Sequence, residues 1–214
     1  MLAKHDEHKG VHVLAVFTHG PGQIYNTKRP VASLKDLDGL KIRGGGSLVN
    51  DVAKALGSVP MLKPAPESYE LLSQGVADGL FFPKESPLSL KLVPLIKHTT
   101  YIPLGLYNVS FAHVMNEAKW KQISEADRAA IAKLSGEALA RRTGKAWDAA
   151  DTRGEKAVRD ASIPIVVADA KFVAEIKAKT SGLRQAWIDR AKAKGADGEA
   201  VLAALQAELA AVTK

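Results

Sequence analysis

Cysteine is absent from this chain of 214 residues, which excludes disulfide bonds, catalytic thiols and thiolate metal sites. Long apolar runs are absent too, since none approaches the ~18 residues that a membrane-spanning helix requires. The first ten residues, MLAKHDEHKG, contain no apolar segment of the kind that secretory signals carry. We therefore expect no signal peptide in the chain given, and export would need a signal encoded upstream of Met1. The lack of cysteine leaves the compartment open.

Aromatic residues are also few, at 6% of the chain, and none alternates with basic residues as a platform for stacking nucleotides would. The net charge of +7 is scattered, often beside acidic residues, with small basic clusters only at residues 4–9 and 141–145. A solvated basic surface explains this charge better than a nucleic-acid site does. We expect no nucleic-acid partner.

Candidate catalytic and metal-binding groups do not form a recognisable motif. Four histidines and two acidic residues lie near the start of the chain: His5, His8, His12, His19, Asp6 and Glu7. Their spacings match no zinc motif, so we interpret them as a solvated segment and expect no metal or cofactor. No GxSxG elbow presents a serine nucleophile, and a hydrolase using His19 and Asp78 is retained only as an alternative.

Short apolar runs alternate with helical patterns along most of the chain, which predicts an α/β fold with parallel strands and right-handed crossovers. Strands are predicted at residues 11–17, 28–31, 40–43, 60–63, 80–82, 98–104, 109–115 and 163–167. Helices are predicted at residues 33–39, 48–56, 66–74, 85–97, 124–160, 169–179, 183–194 and 198–211. The helix over 124–160 is unusually long, and Gly136, Gly144 and Gly154 are its expected weak points. Trp120 and Trp147 are interpreted as core residues that stabilise this helix rather than as ligand contacts.

One stretch points to a ligand. Arg43 ends the predicted strand at residues 40–43 and is followed by three glycines and a helix that begins near Leu48. Ligands of open α/β sheets sit at such strand ends, where helical N–H groups point into the crevice. A guanidinium group there matches the geometry of a carboxylate or phosphate. The sequence therefore predicts a small-anion site with Arg43 as the main contact.

Several segments resemble, in order and spacing, the signature of the DctP-type solute-binding proteins of TRAP transporters: HGPG at 19–22, KRPV at 28–31, SLKDLDGLKIR at 33–43, ALGSVP at 55–60, ESYELLSQGVADG at 67–79 and VMNEAKW at 114–120. The resemblance implies a periplasmic-binding-protein-like fold of two lobes with a long inter-lobe helix. It also implies a periplasmic monomer without enzymatic activity that delivers a small organic acid to TRAP membrane permease subunits.

The resemblance further implies a division of the chain in which the first lobe is incomplete. Residues 1–21 would be a remnant of the first lobe and residues 22–108 the second α/β lobe. Residues 109–160 would form a crossover strand and the long helix that spans the lobes, and residues 161–214 a strand and helices packing on both. Because Met1 would fall well inside the first lobe, a non-functional fragment of a binding protein is a second alternative.

Family positions transfer to this sequence residue by residue. Arg43 falls on the arginine that binds the ligand carboxylate, Gln23 where sialic-acid-binding members carry a second arginine, and Phe82 where they carry an asparagine. The residues that differ from those members, Gln23 and Phe82, favour a monocarboxylate with an apolar or compact body over a sugar acid. The expected ligand-binding residues are Arg43, Gln23, Ser47, Ala65, Phe81, Phe82, Tyr107 and Asn108.

Overall fold

The computed structural model describes residues 8–212, so residues 1–7, which include His5, Asp6 and Glu7 of the segment predicted to be solvated, lie outside the described part. Eight strands occur in that part: β1 Val11–Thr18, β2 Gln23–Asn26, β3 Lys41–Gly44, β4 Val59–Leu62, β5 Gly79–Phe82, β6 His98–Tyr101, β7 Ser110–Asn116 and β8 Ile165–Val167. The helices of the same residues are α1 Leu34–Leu37, α2 Ser47–Ala55, α3 Ser68–Ser73, α4 Ser86–Ser89, α5 Glu117–Gln122, α6 Glu125–Leu134, α7 Glu137–Asp160, α8 Ala170–Ala193 and α9 Gly198–Val212.

Six strands form the main sheet, in the order β4-β3-β5-β2-β6-β8. The pairs β3–β4, β3–β5 and β6–β8 are parallel, whereas β2 runs antiparallel to both of its neighbours. Apolar side chains are buried on both faces, with Phe81 packed among helices α1, α2 and α8, and Leu80 on the opposite face towards α3 and the end of α7. Helices on both faces are what a mostly parallel sheet requires, which confirms the predicted α/β class.

The second sheet contains only β1 and β7, paired antiparallel. Only Leu14 and Ala15 of β1 are buried, so the expectation that residues 11–17 form a buried strand is wrong for most of its length. Val16, Phe111 and Val114 are 48%, 40% and 40% exposed. Within residues 8–212 this sheet therefore presents apolar surface and unpaired strand edges to solvent.

Helix α7 joins the two sheets, because it packs on β1 and its Val158 lies in the same core as Leu80 of the main sheet. The helix predicted over 124–160 is in fact divided. It breaks at Gly136, which has a φ of 62° and whose N–H donates a hydrogen bond to the carbonyl oxygen of Leu14 at 2.6 Å. Gly136 was one of the three expected weak points, whereas Gly144 and Gly154 lie inside α7.

Three other element predictions are wrong. Residues 28–31 are not a strand, because Asn26 Oδ1 accepts hydrogen bonds from the N–H groups of Lys28 and Arg29 and turns the chain there. The helix expected over 85–97 is limited to α4, since Lys91 has a φ of 57° and Pro94 follows. The two helices expected at 169–179 and 183–194 are the single helix α8. The proposed domain division stays a prediction.

The close contact of α7 with the segment before α4 gives a stability test. A Cβ atom at Gly154 would lie 2.0 Å from the carbonyl oxygen of Lys84, which is backbone and cannot move alone. We expect Gly154→Ala to lower the free energy of unfolding by about 1–3 kcal/mol, measured by urea denaturation. The matched control Gly144→Ala, in the same helix with open space around it, should raise it by about 0.5–1 kcal/mol. Equal stability of the two variants would contradict this packing.

Candidate functional site

A cleft of about 280 Å³ opens where the carboxyl ends of β3 and β5 face β7 and helix α7. Arg43 and Gly45 border it from the β3 side, and Phe82 borders it from the end of β5. Phe111 of β7 and Trp147 of α7 border it from the opposite side. The cleft thus lies at strand ends between the two sheets, which is the usual ligand position in open α/β folds.

Arg43 is the central charge of the cleft. It is only 3% exposed, and its Nε donates a hydrogen bond to the carbonyl oxygen of Lys63 at 2.9 Å. Its guanidinium carbon lies 4.3 Å from the centre of the Phe82 ring. Burial lowers the pKa of this guanidinium, while the nearby Tyr107 and Glu67 oppose the shift.

No carboxylate in the described part of the chain forms an ion pair with Arg43. The acidic residue whose charge acts on the pKa of Arg43, Glu67, pairs instead with Lys63 at 3.6 Å. A buried cation without a counter-ion is costly, and an anion entering the cleft would relieve that cost. The site is therefore chemically suited to an anionic group of a ligand.

Tyr107 is held firmly beside Arg43. Its hydroxyl donates a hydrogen bond to the carbonyl oxygen of Phe81 at 3.0 Å, and burial raises its pKa. Its backbone is tied to Gly22, whose N–H donates to the Tyr107 carbonyl oxygen at 2.9 Å. A Cβ atom at Gly22 would lie 2.2 Å from the Tyr107 ring, so this packing requires glycine. The loop between β6 and β7 therefore presents Tyr107 in one defined position.

Three more rings complete an aromatic wall. His19 is 7% exposed, and its ring centre lies 5.8 Å from that of Phe111 and 6.2 Å from that of Trp147. The Phe111 and Trp147 rings are stacked, 6.3 Å apart and within 10° of parallel. Trp147 therefore lines the cleft, and its interpretation as a core residue is wrong. Neither Phe111 nor Trp147 carried a local sequence signal for ligand binding.

The structure brings four of the eight expected ligand-binding residues to the cleft: Arg43, Ala65, Phe82 and Tyr107. Phe81 does not line it, because alternation along β5 turns this side chain into the core on the other face of the sheet. Ser47 lies in the first turn of α2 with an exposed side chain and is not among the residues around the cleft.

The remaining two expected residues support the loops around the cleft. Gln23 lines a different cavity, and its Oε1 accepts a hydrogen bond from the N–H of Ile102 at 2.7 Å. Asn108 donates from Nδ2 to the carbonyl oxygen of His19 at 2.9 Å. Both side chains hold loops around the cleft in place through these hydrogen bonds. The sequence could not reveal this supporting role.

Helix α7 is fixed to the cleft through Asp151. Its Oδ1 accepts a hydrogen bond from the N–H of Glu85 at 2.9 Å, and its carboxyl packs so closely on Gly20 that no side chain fits there. Burial raises the pKa of Asp151. Because Gly20 follows His19 and Glu85 borders the cleft, this one carboxylate joins both sides of the site.

Comparison with known proteins decides the family. The family model described as bacterial extracellular solute-binding protein, family 7 (DctP) matches residues 1–189. The chain belongs to this family. The resemblance inferred from the sequence is thereby confirmed, and members of the DctP family bind solutes without catalysing a reaction. The hydrolase alternative is not supported, and Asp78 instead accepts a hydrogen bond from the N–H of Lys41 at 2.9 Å.

Among similar solved structures is a TRAP periplasmic solute-binding protein of Bordetella bronchiseptica with bound (R)- and (S)-mandelate. It is 46% identical with a TM-score of 0.93, over 99% of this chain and 67% of that one. A protein of Rhodoferax ferrireducens with copurified benzoate is 28% identical with a TM-score of 0.94, over 100% of this chain and 69% of that one.

A curated relative, the outer membrane transporter protein TsaT of Comamonas testosteroni, is 30% identical over 211 residues. The aligned residues cover 98% of this DctP-family chain and 62% of the relative. The chain thus spans less than two thirds of that relative's length. No helix within residues 8–212 combines the length and apolar character needed to cross a bilayer.

The buried Asp151 gives a test of how α7 is anchored. Because burial raises its pKa above the ordinary 3.8, the native state binds a proton there more tightly than the unfolded state does. Ionisation therefore costs stability at neutral pH, and this cost disappears as the pH falls through the raised pKa. We expect Asp151→Asn, which keeps an acceptor for Glu85, to raise the melting temperature at ~pH 7 but not below ~pH 4.

The control for this substitution is Asp51→Asn on the exposed surface of α2. It makes the same chemical change on the surface without touching the cleft, so it should change the melting temperature little. A stabilisation by Asp151→Asn that is independent of pH would mean that the charge of Asp151 is not the cause.

Proposed function

We propose that this protein is the substrate-binding component of a TRAP-type transporter and captures a small aromatic monocarboxylate for uptake. The observation that carries the proposal is the buried guanidinium of Arg43, which lacks a counter-ion within residues 8–212 and faces a cleft walled by aromatic rings. A carboxylate supplies the missing negative charge, and a flat apolar ring suits the wall.

The carboxylate is proposed to bind the terminal nitrogens of Arg43, since its Nε already donates to Lys63. Gly45 leaves room for this approach, because a Cβ atom there would lie 2.9 Å from Nη2. Only this one arginine borders the cleft in the described part of the chain, which favours a ligand with a single acidic group. The expectation of a monocarboxylate from the sequence agrees with this arrangement.

The size and lining of the cleft favour a compact aromatic body. A volume of about 280 Å³ is at the lower end of the ~300–1,000 Å³ typical of small-molecule sites. Phe82, Tyr107, Phe111 and Trp147 present rings to it, and few free polar groups are offered to a sugar. Phe82 and Tyr107 belonged to the set expected from the sequence, whereas Phe111 and Trp147 did not.

The ligands of similar proteins support the same class. Mandelate occupies the relative that is 46% identical, and a marine metagenome protein that is 36% identical and specific for aromatic acids, with a TM-score of 0.83, binds 3-hydroxybenzoate. That match covers 87% of this chain and 59% of the other. The 2,3-diketo-L-gulonate-binding YiaO of Escherichia coli is 32% identical, but over only 62% of this chain.

Uptake is proposed to follow from closure of the protein around its ligand. The carboxylate would contact Arg43 on the main sheet while the ring contacts Phe111 and Trp147 on the other side, so the ligand favours the conformation in which both are close. We propose that the protein is a periplasmic monomer. Its closed state is the form that the TRAP membrane permease subunits are proposed to recognise.

The role of Arg43 can be tested by titration calorimetry with phenylacetate. We expect Arg43→Gln to weaken binding by roughly 30-fold or more, because removing one partner of a buried charge pair costs about 2–5 kcal/mol. Arg153→Gln, on the exposed surface of α7, is the matched control and should leave the affinity unchanged. Undiminished affinity in a folded Arg43→Gln protein would overturn the assignment.

The aromatic wall predicts selectivity for a flat ring. Benzoate should bind about 3–10-fold more tightly than cyclohexanecarboxylate, because offset or edge-to-face ring contacts contribute about 0.5–1.5 kcal/mol beyond apolar burial. Trp147→Leu should reduce this ratio. Trp187→Leu on α8, where the ring is 37% exposed, should not. A ratio near one in the unaltered protein would argue against an aromatic ligand.

A further inference from the structure

We propose that His19 accepts a hydrogen bond from a hydroxyl group of the ligand and so selects hydroxylated aromatic acids over their unhydroxylated analogues. This inference rests on the proposed function, because it assumes that an aromatic carboxylate occupies the cleft. It adds a polar contact from the aromatic wall to the carboxylate contact made by Arg43. His19 was not among the ligand-binding residues expected from the sequence.

The first step concerns the tautomer of His19. Its Nδ1 is hydrogen-bonded to the carbonyl oxygen of Gly20. A carbonyl oxygen can only accept, so Nδ1 must carry the proton. Burial lowers the pKa of His19, although the Gly20 bond and the charge of Glu85 oppose this, and the neutral ring is favoured. In the neutral ring with a protonated Nδ1, Nε2 has a free lone pair and acts as an acceptor.

The second step concerns what meets this lone pair. Nε2 makes no hydrogen bond with any residue that the structure describes, although the side chain is 7% exposed and borders the cleft. This acceptor is therefore available to a donor that a ligand brings into the cleft. A hydroxyl group supplies such a donor, whereas a second carboxylate would be repelled by the lone pair.

The third step concerns how rigidly the acceptor is held. The Tyr107 ring meets the His19 ring edge-on at 5.6 Å, and Phe111 and Trp147 contact it from other directions. The carbonyl oxygen of the same histidine accepts a hydrogen bond from Asn108. Ring and backbone are therefore both fixed, so a hydroxyl in the wrong position on the ligand would gain little.

The fourth step compares the other polar groups around the cleft. Tyr107 donates its hydroxyl proton to Phe81, and Ser86 donates to Oε1 of Glu85. Glu85 is the one carboxylate among the residues lining the cleft in the described chain, and it is already partly satisfied, whereas the hydroxyl oxygens of Ser86 and Tyr107 keep only weaker acceptor capacity. His19 and Glu85 can be separated by experiment, because their substitution affects different atoms.

The test uses pairs of ligands that differ by one hydroxyl: mandelate against phenylacetate, and 3-hydroxybenzoate against benzoate. By titration calorimetry, at least one hydroxylated acid should bind the unaltered protein about tenfold more tightly than its analogue. In His19→Phe this ratio should fall to about one. The control His113→Phe, on the exposed part of β7, should keep the ratio, and so should Glu85→Gln.

The outcomes separate this inference from the proposed function. If neither member of a pair binds the unaltered protein, the proposed function fails. Three results would overturn the role of His19 and leave the proposed function standing, provided that phenylacetate binds. The affinity ratio could be near one in the unaltered protein, it could persist in His19→Phe, or it could be lost in Glu85→Gln alone.

A second measurement needs no variant and covers the case in which His19→Phe does not fold. The ¹⁵N resonance of His19 Nε2 in the unaltered protein should shift with mandelate or 3-hydroxybenzoate and much less with phenylacetate or benzoate. Equal shifts within each pair would contradict the inference.

Discussion

The architecture of the site depends on one buried positive charge. Arg43 is placed at the carboxyl end of β3, where three glycines let the chain turn into α2, and it is nearly sealed from solvent. Its partners in the described chain are the Lys63 carbonyl oxygen and the face of Phe82, neither of which neutralises it. Burying an uncompensated cation costs free energy, and an anion entering the cleft would relieve that cost.

Other contacts around the cleft fix the aromatic rings that lie near Arg43. Tyr107 is fixed by Gly22 and by the Phe81 carbonyl oxygen, and Trp147 is carried by α7. Helix α7 itself is held by Asp151, which contacts segments on both sides of the site. Because these side chains are already held in place, binding of the proposed small acid would cost little conformational entropy.

The two sheets differ in how completely they are covered. The six-stranded sheet buries apolar side chains on both faces, whereas the β1–β7 sheet exposes apolar residues within residues 8–212. The cleft uses both sheets, with the charge from the first and the stacked rings from the second. The chain belongs to the DctP family and spans 62% of the length of the relative TsaT.

The sequence by itself determined the family, the α/β class and the position of Arg43, because these depend on local signals: motif order, strand and helix periodicity, and a cation before a glycine turn. Of the residues expected from the sequence, Phe82 and Tyr107 border the cleft, whereas Phe81 does not. A strand buried on both faces gives no hydrophobic alternation that tells the two faces apart. Only the tertiary structure decided that His19, Phe111 and Trp147 meet. They come from three separate segments, and no local pattern records which distant side chains will share a cleft.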